Sequence, residues 1–204
     1  MSYTACSIKG SFQGLYSYYS KTKSQDPQLL IVPDSSILLC EINKPDTPRI
    51  IVTNGKRLKE CIKKNNKAIV YLWAPKCKGE FCYSLNFLQQ KCDTKGVALY
   101  IVAEYYDTQL MQINYKMNKP ISGIVVEYYN SNKTSKYLSK FVYDLTSKSG
   151  PVGRIIYFED GVFKRSFDSI EEIWQKYSAK IATGHQAFFP ISSVYQLDYL
   201  SLHQ

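Results

Sequence analysis

Two uninterrupted apolar runs, Ala68-Ile-Val-Tyr-Leu-Trp73 and Val97-Ala-Leu-Tyr-Ile-Val-Ala103, constrain what this chain can fold into more than anything else in it. A strand with one wet face alternates apolar and polar residues. A run without alternation belongs to a strand covered on both faces, as in a parallel sheet flanked by helices. Between the runs, Leu85, Leu88 and Cys92 recur at helical spacing and Gly96 supplies the stop. A strand–helix–strand unit of this kind is parallel with a right-handed crossover. The expectation is therefore an α/β domain.

The rest of residues 49–181 continues the alternation. Arg49–Val52 reads as a strand, and Asn54 caps a helix whose inward face is Leu58, Cys61 and Ile62. The helix after the first apolar run is expected over about Glu80–Asp93, and another from the Asp107-Thr108 cap to about Met117. Ile121–Tyr128 reads as a strand. A helix opens at Thr134-Ser135 with a stripe of Tyr137, Leu138, Phe141, Val142 and Leu145. Arg154–Phe158 and Val162–Phe167 flank an Asp-Gly hairpin turn. Ser169-Ile-Glu-Glu172 is a capping box for a helix through Ile181.

Residues 1–48 read as a leader. They carry a short helix around Phe12–Lys23, two apolar stretches (Leu29–Val32 and Ile37–Ile42, with Cys40 in a strand) and a proline-punctuated linker at Asn43–Pro48. Residues 182–204 form an aromatic tail, with Phe188, Phe189, Tyr195 and Tyr199, expected to dock back on the domain.

The net charge of +9 comes mostly from lysines scattered in twos, with no basic run and few arginines. That argues against a nucleic-acid partner and suits a solvated surface, an anionic membrane surface or an acidic partner. No stretch has the length to span a bilayer. His185 and His203 lie far along and no CxxC pair repeats, so the residues offer no metal set and imply no cofactor. Tyr3-Thr-Ala-Cys6-Ser7 resembles the end of a bacterial lipoprotein signal, which would place a lipid and a membrane tether on Cys6. The other reading of Cys6 is an ordinary thiol in a loose terminus.

Six cysteines in a chain of 204 residues do not form a small disulfide scaffold. Cys61 and Cys92 fall on apolar helical faces and read as buried thiols. Cys77 and Cys82 differ from these. They follow Trp73-Ala-Pro75 at the carboxyl end of the first apolar strand, where open α/β folds place their chemistry. Lys76 and Lys78 flank Cys77, and cations beside a thiol favour the thiolate.

Four stretches resemble the thioredoxin superfamily: Ile50–Ile62 as its opening strand and helix; Ile69–Ala74 leading into Cys77; the closing hairpin Ile155–Lys164; and the final helix after Ser169. The extra strand and helix between Pro120 and Leu145 resemble the insertion of the TlpA-like, envelope-attached branch. The resemblance implies a mixed sheet flanked by helices, protein thiols or disulfides as substrates, a redox partner protein, and the periplasmic face of a bacterial envelope. In it, Cys77 is the nucleophile, Cys82 the resolving thiol, and Trp73, Pro75, Pro151 and Val152 line the substrate groove.

The family's motif is altered in two places. CxxC becomes Cys77-Lys-Gly-Glu-Phe-Cys82. In a continuous helix such a pair would stand roughly 8–9 Å apart, so a bond requires Cys77 to lie in a loop that curls back, with Cys82 in the first helical turn. The family also places a cis-proline just before the hairpin. Pro151 falls one or two residues early, with Gly153 near the expected slot, so either a bulge accommodates the proline or it has been lost. An active dithiol, a structural disulfide and a binding module without catalysis all remain open.

Overall fold

The computed structural model describes residues 14–80 and 82–174. The chain divides into two units, residues 1–170 and 171–204. Within the second, the described residues 171–174 are helical. The rest of the helix expected through Ile181, the aromatic tail and Cys6 lie outside the described residues.

The first unit is an α/β structure built on one seven-stranded mixed sheet flanked by helices. Its elements are α1 (Tyr19–Gln25), β1 (Leu30–Ile31), β2 (Ile50–Thr53), α2 (Gly55–Ile62), β3 (Lys67–Trp73), α3 (Leu85–Thr94), β4 (Ala98–Ala103), α4 (Thr108–Met111), β5 (Ile121–Ile124), α5 (Thr134–Thr146), β6 (Ile155–Glu159) and β7 (Val162–Phe167). The strand order is β1-β2-β5-β4-β3-β6-β7. The first five in that order run parallel, and β6 and β7 add an antiparallel hairpin at the far side.

The two apolar runs become β3 and β4, paired in parallel from Ala68↔Ala98 to Trp73↔Ala103. They occupy the middle of the sheet, and Ala68, Ile69, Val70, Val102 and Ala103 are fully buried. Lack of alternation in the sequence thus corresponds to cover on both faces. The turn between β6 and β7 has positive φ at Asp160 (51°) and Gly161 (72°), the backbone that an Asp-Gly pair favours in a two-residue hairpin. Asn54 caps α2 as expected, its side chain accepting from the Arg57 amide at 3.0 Å. Gly55 then lets α2 close on α5, because a Cβ there would collide with the Phe141 carbonyl.

Several elements differ from expectation. Residues 27–41 contribute β1 to the same sheet, and Cys40 sits in a 3-10 turn (Leu39–Glu41) rather than a strand. The segment after Pro120 supplies β5, wedged between β2 and β4. That strand stops at Ile124, and Val126–Tyr129 turns as a 3-10 helix. Asp107 does cap α4, accepting from the Leu110 amide at 3.0 Å, but the helix ends at Met111 instead of Met117. Beyond it the chain is held by side chains from α3: Asn86 accepts from the Lys116 amide at 2.8 Å and Gln89 from the Asn118 amide at 3.1 Å. Backbone groups satisfied in this way need no helical ladder.

Candidate functional site

β3 ends at Trp73, and the stretch before α3 carries Cys77 and Cys82, which are joined as a disulfide with Cα atoms 5.7 Å apart. That spacing is inside the range disulfides span. The loop curls back as the five-residue separation demands, but both cysteines stay outside the helix, because α3 begins only at Leu85. Two turns fold the loop: the Cys77 amide donates to the Ala74 carbonyl and the Cys82 amide to the Gly79 carbonyl, each at 3.0 Å. The Gly79 amide also donates to Cys82 Sγ at 3.0 Å. The late start of α3 has a tertiary cause. The Tyr83 amide donates to the Tyr71 hydroxyl at 3.2 Å, and the Tyr83 ring lies edge-on to Tyr71 and stacks on Phe87.

The group that reaches the sulfurs is Arg154. Its Nη1 lies 2.8 Å from Cys77 Sγ and 3.8 Å from Cys82 Sγ. Its Nε lies 3.5 Å from Glu104 Oε1, a carboxylate only 13% exposed. The register explains the meeting. β4 and β6 are the two neighbours of β3, so the residue following β4 and the residue preceding β6 both arrive beside its carboxyl end. The Glu104 amide donates to the Trp73 carbonyl and the Leu72 amide to the Arg154 carbonyl, both at 2.8 Å, which fixes the two backbones on either side. Tyr137 holds Glu104 further by donating its hydroxyl to the Glu104 carbonyl. Burial pushes the Glu104 carboxyl above the usual carboxylate range, and the Arg154 charge works in the opposite direction.

The expected site residues are distributed as follows. Cys77 and Cys82 are half-buried at the sheet edge and Pro75 is buried. Trp73 is buried with its indole edge-on to Tyr115, ring centres 5.7 Å apart. Pro151 is exposed and Val152 half-buried. The described peptide bonds are all trans, that of Pro151 included. Gly153, near the slot where a proline was expected, lies against β7: its amide donates to Ser166 Oγ at 3.1 Å, and a Cβ would meet the Phe167 backbone. Proline has no amide hydrogen to give there. Of the two lysines expected to favour the Cys77 thiolate, Lys76 is engaged elsewhere, its Nζ pairing with Asp107 Oδ2 at 2.9 Å, and Lys78 is exposed.

Arg154 and Glu104 were not singled out from the sequence. Neither belongs to a local motif, and they stand 50 positions apart. The sequence signal is positional: Glu104 directly follows the apolar run Val97–Ala103, and Arg154 opens the strand Arg154–Phe158.

No protein-family model and no curated protein matches the chain. What fold and site define together is an α/β protein with a disulfide at the carboxyl edge of its sheet, under a guanidinium. A cation in hydrogen-bond reach of a sulfur stabilises the thiolate that reduction would release.

Proposed function

We propose that this protein is a thioredoxin-like thiol-disulfide oxidoreductase that acts on protein thiols and disulfides in the bacterial cell envelope. The observation that carries the reading is the contact of Arg154 Nη1 with Cys77 Sγ at 2.8 Å, in a disulfide that is half-buried rather than sealed in the core.

With the pair reduced, Cys77 is the attacking thiolate. Its sulfur attacks one sulfur of a substrate disulfide; a mixed disulfide forms, and the other substrate sulfur leaves as a thiolate and takes up a proton. Cys82, as thiolate, then attacks Cys77 Sγ and releases the second substrate thiol. Two electrons pass to the substrate and the Cys77–Cys82 bond is restored. The reverse sequence oxidises a substrate dithiol. Arg154 favours Cys77 as both attacking and leaving group, since its charge stabilises the thiolate in either direction. Glu104, buried beside it, orients the guanidinium. Val152, two residues before Arg154, offers backbone to an extended peptide, and Pro75 and Trp73 support the loop from the strand side.

An envelope location suits a chain with a disulfide, since such compartments are oxidising. Cys6 is the proposed lipid attachment. Labelling with a radioactive fatty acid in a bacterial host should mark the protein and not its Cys6→Ser variant; equal labelling of both removes the tether. For the reaction itself, the protein should reduce insulin in the presence of dithiothreitol, and the Cys77→Ser variant should not. No turnover by the unaltered protein, with no thiol released at 77 and 82 under reductant, overturns the oxidoreductase reading in favour of a structural bond.

A further inference from the structure

A second pair of thiols meets away from the sheet edge. After β1, residues 33–41 form a strap along α2. Arg57 holds it by donating to three carbonyls, those of Pro33 (3.1 Å), Asp34 (2.6 Å) and Ile37 (2.9 Å). Lys64 on the following turn pairs with Glu41 at 3.0 Å. Between these fastenings, the Cys40 amide donates to Cys61 Sγ at 2.8 Å. The Cys40 side chain also acts on Cys61, adding to the burial that raises its thiol.

We infer that Cys40 and Cys61 are a second redox couple, closing to a disulfide that fastens the strap to α2 when a low-molecular-weight disulfide is present. The geometry allows it with little movement. The Cys61 sulfur is 2.8 Å from the Cys40 nitrogen. One N–Cα bond of about 1.46 Å further on, that sulfur can be no more than about 4.3 Å from the Cys40 Cα. That places the Cys61 sulfur within reach of the Cys40 side chain, whose turn to another rotamer is the movement closure requires.

The two thiols have different access, which sets the order of events. Cys61 is fully buried. Cys40 is half-buried and lines a cleft of about 140 Å³ with Leu39, Ile42, Leu58 and Tyr100. A small disulfide therefore meets Cys40 first. The Cys40 thiolate attacks it, forming a mixed disulfide and releasing one small thiol. Cys61 then gives up its proton to solvent and attacks Cys40 Sγ, and the second small thiol leaves. The two cysteines are oxidised and the small disulfide is reduced to two thiols. Burial holds the Cys61 thiol up, to about 12, so the closing step is slow compared with capture at Cys40.

The test uses the full chain with Cys77→Ser and Cys82→Ser, so that the first pair takes no part. The protein is incubated with oxidised glutathione, denatured, alkylated and digested with trypsin without reduction. The expected product is the short peptide 60–63 joined to the peptide that carries Cys40, lighter than their sum by two hydrogens, with Cys92 alkylated. Its urea midpoint should lie above that of the reduced protein, and the difference should vanish in the Cys40→Ser variant. Cys40 carrying glutathione while peptide 60–63 is alkylated overturns the inference, and so does Cys40 joined to Cys6. Should the double serine variant fail to fold, the same linked peptide is sought in the unaltered chain, where it stays distinct from the 77–82 bond.

Discussion

Cys77 and Cys92 are the same side chain in opposite settings. Cys92 lies on α3, wholly buried, and burial, with Asp93 adding to it, pushes its thiol up to about 12. Cys77 lies in the irregular stretch between β3 and α3, half-buried, with a guanidinium 2.8 Å from its sulfur. The contrast shows where thiol chemistry becomes available in this fold. On α3 the helix face fits the core and makes Cys92 an inert apolar residue. A chain leaving the carboxyl edge of the sheet exposes its sulfur to solvent and to the charged residues that end the neighbouring strands.

The largest expected effect compares these two cysteines directly. Cys77→Ser should lower insulin reduction by at least about a thousandfold, whereas Cys92→Ala should leave the rate nearly unchanged and lose only some stability to the small cavity it creates. Equal loss in both would erase the distinction between the two settings.

Next is Arg154→Ala. A hydrogen bond to a charged group contributes about 1.5–3 kcal/mol, so the rate at neutral pH should fall by roughly 10- to 100-fold. The pH–rate profile should also move to higher pH, a shift that a merely structural role for Arg154 would not produce.

Glu104→Gln has a smaller effect with a definite sign. The folded state holds the Glu104 carboxyl above its usual range, chiefly through burial, so the folded protein binds that proton more tightly than the unfolded chain does. This contribution is present at low pH. It is lost as pH rises from the unfolded carboxyl value, about 4.3, through the raised folded value. Urea unfolding across that window should therefore show less decline in the Gln variant than in the unaltered protein. The smallest effect is that of Asn54→Ala, which removes the cap of α2 at the end of β2, with β5 and β4 between it and β3. It should cost about 1 kcal/mol of stability in urea unfolding and leave insulin reduction alone.

Much of this architecture is legible in the sequence because it rests on local pattern. The unbroken runs that become β3 and β4, the Asp160-Gly161 turn and the caps at Asn54 and Asp107 are each decided within a few residues. The failures lie where distant side chains compete with local preference. α4 ends early because Asn86 and Gln89 satisfy the backbone beyond it, and α3 starts late because Tyr71 and Phe87 hold Tyr83. Cys40 lies in an apolar stretch that resembles a strand, yet Arg57 gathers the preceding carbonyls into a strap. At the site, the cysteines and their need for a curled loop follow from spacing alone. Arg154 and Glu104 do not, since only the strand order brings Glu104 against Arg154, 50 positions away, beside the sulfurs. Lys76 and Lys78 are the obvious cations in the sequence, but Asp107 engages Lys76.

The proposed oxidoreductase requires a 77–82 bond that opens. Its reduction potential, measured by equilibration with glutathione or dithiothreitol and thiol alkylation, tests this most directly. With Arg154 stabilising the reduced form, the expected value lies above about −300 mV, in the range of catalytic dithiols, and is more negative in Arg154→Ala. A potential well below about −300 mV, unchanged by that substitution, would contradict it and leave a structural bond.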